Sequence, residues 1–374
     1  MEGQPDQSTP MSAWNEQTSI MAIMRHRIPR FVFAGAQYSD IDVVLQKITG
    51  RGSWVEAWAE AGKRYEDFGL EAEEKKRAVS AKESFLLATI YYQLAQSDLF
   101  DFSKQKFDLY GKVMENYMRA ARYFDGSLER VEIPFGMGKK APGYFWKQQG
   151  REKKPAVLVL HGADSTKEEY HTFVEYFFKR GLNTLIIDGP GQGETRLHQD
   201  VPMDDAEFTK AATAAVDFLL AQPEVDQDRI GVAGQCMGGY QALRHAGNDH
   251  RLKACYAISP FFRSSSWFGM MVPAPIKKSI LFVYGASSQE ELIERVGGDL
   301  TIEAEARKIQ CPTLVMHGKA DIFVPNEDAE ALRDSIGGPK DFIAYEGGMH
   351  ALMNLSVLPR MLGADWMAEK LAAS

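Results

Sequence analysis

The stretch Gly234-Gln235-Cys236-Met237-Gly238-Gly239 constrains this chain more than any other. Arg229-Ile230-Gly231-Val232-Ala233 before it reads as a short buried strand, and Tyr240-Gln241-Ala242-Leu243-Arg244-His245 after it as a helix. Strand, small-X-nucleophile-X-small, helix is the pattern of a nucleophile elbow, a strained turn that lifts one side chain off the top of a sheet. Gly234 and Gly238 leave room for the helix to pack against the incoming strand. The start of that helix turns its N–H groups and positive dipole end toward any negative charge formed there. A thiolate at Cys236 gains from that field and from an adjacent imidazolium. By itself the pattern has an equally good structural reading, a buried cysteine in a glycine-rich turn.

An elbow needs a sheet beneath it, and the chain changes character near Ser127 to supply one. Residues 128–135 and 143–147 read as two antiparallel strands joined by Gly136-Met137-Gly138-Lys139-Lys140. The unbroken apolar run at 156–160 suits a buried parallel strand. Helices then fall at 168–179, 204–221, 326–335 and 355–371, and strands at 183–187, 230–233, 252–258, 313–316 and 340–345. Such alternation predicts an α/β fold with a mostly parallel, doubly wound sheet. Residues about 261–300 interrupt the rhythm with Phe261, Phe262, Trp267, Phe268, Met270 and Met271, and an insertion placed there can cover the active site.

The first third is different. Residues 1–12 are polar and read as a flexible tail, and 13–127 as a helical domain. Helices are expected at about 14–24, at 41–48 behind a Ser39-Asp40 cap, and at 53–69, 73–99 and 104–124. Its many aromatics are most simply helix-bundle core, with a minority available to line a substrate cavity. Residues 128–374 then form the catalytic domain.

Composition removes several function classes. The chain of 374 residues carries a formal net charge of −8, so nucleic acid and anionic membranes are poor partners. No apolar run approaches the roughly 18 residues a membrane helix needs, and no signal pattern opens the chain. Three cysteines do not make a disulfide framework, and a reducing, cytoplasmic setting is expected. No Cys/His cluster has zinc spacing, so neither metal nor cofactor is expected. Asp188-Gly189-Pro190-Gly191-Gln192-Gly193 lacks the spacing of a phosphate loop and reads as a structural strand-exit loop.

The nucleophile needs a base, and the base needs an acid to orient it. In folds with this elbow the chain order is nucleophile, acid, base. Asp321 lies just past the strand that ends near Met316, and His350 just past the last strand, after Gly347 and Gly348. Asp299, Asp328 and Asp341 are rival acids; Asp328 falls within a helix and Asp341 starts a strand. The backbone N–H groups of Met237 and Ala163, with Asp164 as the alternative to Ala163, are the candidate oxyanion donors. Trp267, Phe268 and Tyr240 are candidate substrate contacts.

The elbow, the Asp321 loop and the His350 loop resemble the α/β-hydrolase superfamily. His161-Gly162-Ala163-Asp164-Ser165-Thr166-Lys167-Glu168-Glu169 and Asp188-Gly189-Pro190-Gly191-Gln192-Gly193 are similar to the branch with an N-terminal helical domain, which includes 2,6-dihydroxypseudooxynicotine hydrolase and the fungal polyketide-shortening hydrolases. The resemblance implies cofactor-free cleavage of a C–C bond beside a ketone, or of an ester, in a bulky small-molecule substrate. It also implies a homodimer and a Ser-Asp-His triad. Cys236 departs from that serine. A natural thiol nucleophile, as dienelactone hydrolases resemble, would form a thioester able to hydrolyse, transfer or cyclise the acyl group. A serine replaced by design and a binding protein without turnover are the other two readings.

Overall fold

The computed structural model describes residues 27–49, 51–263, 274–296, 301–355 and 357–372. Among these, no helix is long and apolar enough to cross a membrane. The helix expected at 14–24 lies outside them.

Helices over residues 27–34, Tyr38–Lys47, Arg51–Glu74, Ala78–Gln96 and Lys104–Ala121 precede the sheet. Their core is aromatic: Phe31, Trp54, Trp58 and Tyr91 are all nearly fully buried, and the Trp54 and Trp58 rings sit 5.8 Å apart. The Ser103 hydroxyl accepts from the Lys106 N–H and caps the last helix of the group. Two expectations need correction. The helix expected at 73–99 is broken at residues 75–77, where Lys76 takes a positive φ of 55°. Asp40 does not cap the Tyr38–Lys47 helix; it lies inside it, buried, accepting from Arg64, Tyr65 and Tyr91. Three donors drawn from other helices outweigh the local capping preference of an Asp.

The sheet has eight strands: β1 (Ser127–Gly136), β2 (Lys139–Lys147), β3 (Lys154–Leu160), β4 (Asn183–Ile187), β5 (Val225–Gln235), β6 (Ala254–Ile258), β7 (Thr313–Gly318) and β8 (Lys340–Tyr345). Their order is β1-β2-β4-β3-β5-β6-β7-β8. β1 and β2 are antiparallel to their neighbours, and β4 to β8 run parallel with β3. From Ala156 to Leu160 β3 is wholly buried, as a strand covered on both faces must be. The Asp204 carboxylate caps the Asp205–Leu220 helix by accepting from the Glu207 N–H at 2.9 Å. The short helix Gly193–Gln199 was not legible in the sequence.

Register places the site. Leu160 pairs with Ile187 and with Gly234, and Gly318 pairs with Tyr345. The loops after β3, β4, β5, β7 and β8 therefore leave the same edge of the sheet, its C-terminal edge, where open α/β sheets bind ligands.

Candidate active site

Cys236 sits between β5 and the Met237–Asn248 helix with φ 58° and ψ −123°. A backbone this far from ordinary regions costs on the order of 1–3 kcal/mol and persists only where its surroundings enforce it. They do: the Cys236 N–H donates to the Ile258 carbonyl at 2.9 Å, and the Tyr240 N–H to the Cys236 carbonyl at 3.0 Å. The flanking glycines are required by contact. A Cβ on Gly234 would lie 2.1 Å from the Gly238 carbonyl oxygen, and one on Gly238 would lie 2.0 Å from that of Leu160. The N–H of Met237, first in its helix, has no acceptor within the helix.

The acid and base meet as their order implies. His350 Nδ1 is 2.8 Å from Asp321 Oδ2. Asp321 Oδ1 accepts from the N–H groups of Phe323 and Val324 at 2.8 and 3.1 Å. Burial alone would raise the Asp321 carboxyl, but His350 and those two amides hold it below its ordinary value. Burial alone would lower His350, but the charges of Asp321 and Cys236 hold it well above its ordinary value. His350 Nε2 is buried and makes no hydrogen bond of standard geometry among the described residues, yet the Cys236 sulfur is close enough for its charge to act on the ring. The loop is fixed from behind: Gln235 Nε2 donates to the Ala351 carbonyl at 2.8 Å, and the Ala351 N–H to the Ser259 hydroxyl at 3.0 Å. Asp328 lies inside the Asn326–Ser335 helix and Asp341 accepts from Trp366 Nε1, so neither reaches His350. Asp299 lies outside the described residues.

The loop after β3 passes close to the elbow: a Cβ on Gly162 would lie 3.8 Å from that of Cys236. Its Gly162 N–H donates to the Tyr170 hydroxyl at 3.1 Å. Among the described residues the Ala163 N–H has no acceptor within the chain. The remaining anchors come from elements far apart in the sequence. Arg30 holds the Asp164 carboxylate at 2.8 Å and the Glu169 carboxylate at 2.6 and 3.0 Å. Gln93 Nε2 adds a bond to Glu169 at 3.1 Å. Behind the loop, buried Lys167 Nζ meets Asp188, Glu194 and Glu168 at 2.8, 2.7 and 2.9 Å. Tyr110 and His161 also bond to Asp188. The Asp188 loop is thus a structural clamp on the loop that carries Ala163.

A partly open pocket lies against this loop. Ala163 is on its wall, together with Phe100 and Lys106 from the helical group and Phe282 from the Ala274–Tyr284 helix of the insertion. Tyr240 is not: it is fully buried, donates to Asp205 at 2.7 Å and stacks on Phe261. Trp267 and Phe268 lie outside the described residues. Tyr284, which the sequence did not single out, is pushed above its ordinary pKa by burial, with Asp205 and Cys236 adding to the effect, so its phenol lies within electrostatic reach of the sulfur. Among the described residues no three His, Cys, Asp or Glu side chains gather as a metal site requires.

Comparison with known proteins follows the geometry. Residues 24–265 match the family described as esterase FrsA-like, and residues 290–354 match that described as serine aminopeptidase, S33. The 2,6-dihydropseudooxynicotine hydrolase of Paenarthrobacter nicotinovorans is 30% identical over 92% of this chain and 91% of its own length. The alpha/beta hydrolase gkaG of Penicillium citrinum is 34% identical over 60% of this chain, spanning 54% of the fungal protein. The crystal structure of 2,6-dihydroxy-pseudo-oxynicotine hydrolase superposes with a TM-score of 0.82 at 28% identity, covering 92% of this chain and 95% of that one.

Proposed function

The chain belongs to the α/β-hydrolase superfamily and is a hydrolase close to 2,6-dihydroxypseudooxynicotine hydrolase, and on that premise we propose that it cleaves a C–C bond beside a ketone, or an ester, through Cys236, His350 and Asp321. The observation that carries this reading is the Asp321–His350 pair at 2.8 Å, with the Cys236 sulfur near enough to His350 to raise its pKa.

His350 Nε2 takes the thiol proton as the sulfur attacks the substrate carbonyl carbon. The carbonyl oxygen becomes an oxyanion, held by the Met237 and Ala163 N–H groups; one such donor is worth about 3–4 kcal/mol in other enzymes. Collapse breaks the C–C or C–O bond. The leaving carbanion or alkoxide takes the proton from the imidazolium, which Asp321 keeps oriented and charged. A thioester remains on Cys236. Water, deprotonated by His350, attacks it, and the carboxylic acid leaves as the thiol is restored.

Acyl-enzyme trapping tests this. Incubation with an aryl ester and an aryl ketone panel, followed by intact-mass measurement, is expected to add one acyl group, lost in Cys236→Ala. Cys236→Ala is expected to lower kcat by about 1,000-fold or more, the usual effect of removing a triad nucleophile. A Cys236→Ala protein of full activity would sink the mechanism. The sulfur itself supports a second reading, acyl transfer, because a thioester reacts readily with amines and thiols as well as water. Product analysis with a competing amine decides between the two.

A further inference from the structure

The cavity beside the Ala163 loop holds one charge that the triad does not use. Lys106 lies on its wall and is 7% exposed. Its ammonium donates to the Gln96 carbonyl at 3.0 Å and to Gln96 Oε1. An ammonium has three N–H donors, so one is left over. The Phe282 ring faces it at 6.0 Å. Among the described residues no carboxylate forms an ion pair with it.

The other charges on the wall are already engaged. Arg196 donates to the Phe282 carbonyl at 2.7 Å and pairs with Asp200. Asp164 is held by Arg30. Buried charges are ordinarily paired, because leaving water without a counter-ion costs several kcal/mol. Among the described residues no carboxylate pairs with Lys106 to offset that cost, and its ammonium lies on the wall of the pocket. Burial lowers it from its ordinary value to about 7, against the opposing charges of Asp101, Asp164 and Asp98.

We propose that Lys106 recognises an ionisable oxygen of the ligand, an enolic, phenolic or carboxylic oxygen on the part of the molecule that occupies this cavity. The ligand oxygen takes the free donor and supplies the missing counter-ion. When the lysine is neutral, the hydroxyl proton passes to its amine; when it is already charged, the proton passes to solvent. Either way an ammonium–oxyanion pair forms in a site of low dielectric, where it is stronger than in water. The position is coupled to the loop behind Ala163. Gln96 Nε2 donates to Gln93 Oε1 at 2.6 Å, and Gln93 in turn bonds to Thr166 and Glu169. This names the substrate class for the site proposed above, but the binding step does not depend on Cys236 chemistry.

The test uses Cys236→Ala full-length protein, in which turnover cannot obscure binding, with 4-nitrophenol as the acidic probe and 4-nitroanisole as its neutral counterpart. At neutral pH, saturable binding is expected to shift the 4-nitrophenol spectrum toward the yellow phenolate. Adding Lys106→Met is expected to abolish that shift and weaken 4-nitrophenol binding about tenfold or more. Binding of 4-nitroanisole should change by less than about twofold, because its apolar contacts remain. Lys106→Arg, which keeps the charge, is expected to retain part of the shift. A phenolate band that survives Lys106→Met, an equal loss of both probes, or no saturable 4-nitrophenol binding overturns the proposal. Failure of the Cys236 mechanism would show separately, as the absence of an acyl-enzyme in the unsubstituted chain.

Discussion

Two lysines lie buried on either side of the loop that carries Ala163, and their surroundings are opposite. Lys167 meets three carboxylates and the Tyr110 hydroxyl, and its pKa is held well above the ordinary value despite burial. Among the described residues Lys106 donates to the neutral oxygens of Gln96 and faces the Phe282 ring, and burial brings it down to about 7. The first is a fastening: it joins the loop after β3 to the loop after β4 and to the helical group. The second is an unsatisfied charge on a cavity wall. Burial of a lysine alone says little; the counter-ions decide whether it serves the fold or a ligand.

The largest effect that would break this contrast is expected at Lys167. Lys167→Met leaves Asp188, Glu194 and Glu168 facing one another in a buried site. Removing one partner of a buried ionic group typically costs about 3–5 kcal/mol. Urea denaturation at neutral pH should register that loss. The pH dependence has a definite sign. In the intact chain burial raises the Asp188 and Glu194 carboxyls, but Lys167 with His161 at Asp188, and His198 with Lys167 at Glu194, hold them below their ordinary values. Their contribution is present above the ordinary carboxylate range and is lost as pH falls through and below it. Lys167→Met should flatten this acid limb. A variant as stable as the parent would mean that Lys167 is no fastening.

How far each lysine was legible in the sequence follows from the range of its contacts. The elbow, the Asp321 loop and the His350 loop are local patterns tied to strand ends, and the structure brings those strand ends to one edge. The strands at 183–187 and 340–345 and the helix at 326–335 coincide with their expected bounds for the same reason, a local apolar rhythm. Lys167 and Asp188 each sat in a segment already noticed, but their contact joins residues 21 apart across two strands. Arg30 reaches Glu169 across 139 residues. No periodicity carries such a pairing, and a single sequence holds no co-variation to suggest it. Lys106 stood within an expected amphipathic helix, where a lysine reads as solvent-facing. Only the packing of that helix against Gln96 and Phe282 buries it.

An intermediate effect, of opposite sign, is expected at Lys106. Lys106→Met removes an unpaired buried charge in favour of an apolar chain of similar length, so the ligand-free protein should gain about 1–3 kcal/mol at neutral pH. The sign of its pH dependence follows from the depressed pKa. The unfolded chain binds a proton up to an ordinary lysine value, while the folded chain releases it from about pH 7 upward. The penalty is therefore full below about pH 7 and relieved as pH rises toward the ordinary lysine value. The stability gap between Lys106→Met and the parent should narrow across that window, measured by thermal melts at pH 6.5 and pH 9.5. A gap that widens instead would mean that a counter-ion holds Lys106 charged.

The smallest effect concerns whether the two lysines act on one loop. Gln93 stands between them: it accepts from Gln96, which holds Lys106, and donates to Glu169, which Arg30 also holds. Gln93→Leu cuts this link while leaving Lys167 and Arg30 in place. One buried hydrogen-bonding group left without its partner costs about 1–3 kcal/mol, so a modest loss of melting temperature is expected. The informative readout is catalytic. The Ala163 N–H must sit within a few tenths of an ångström of the oxyanion, and a loop held by one fewer bond lowers kcat more than it raises KM. A fall in kcat of about three- to tenfold on an aryl ester would tie the cavity wall to the oxyanion site. A loss of stability with kcat unchanged would leave Gln93 as packing alone, and the two lysines as neighbours without a shared task.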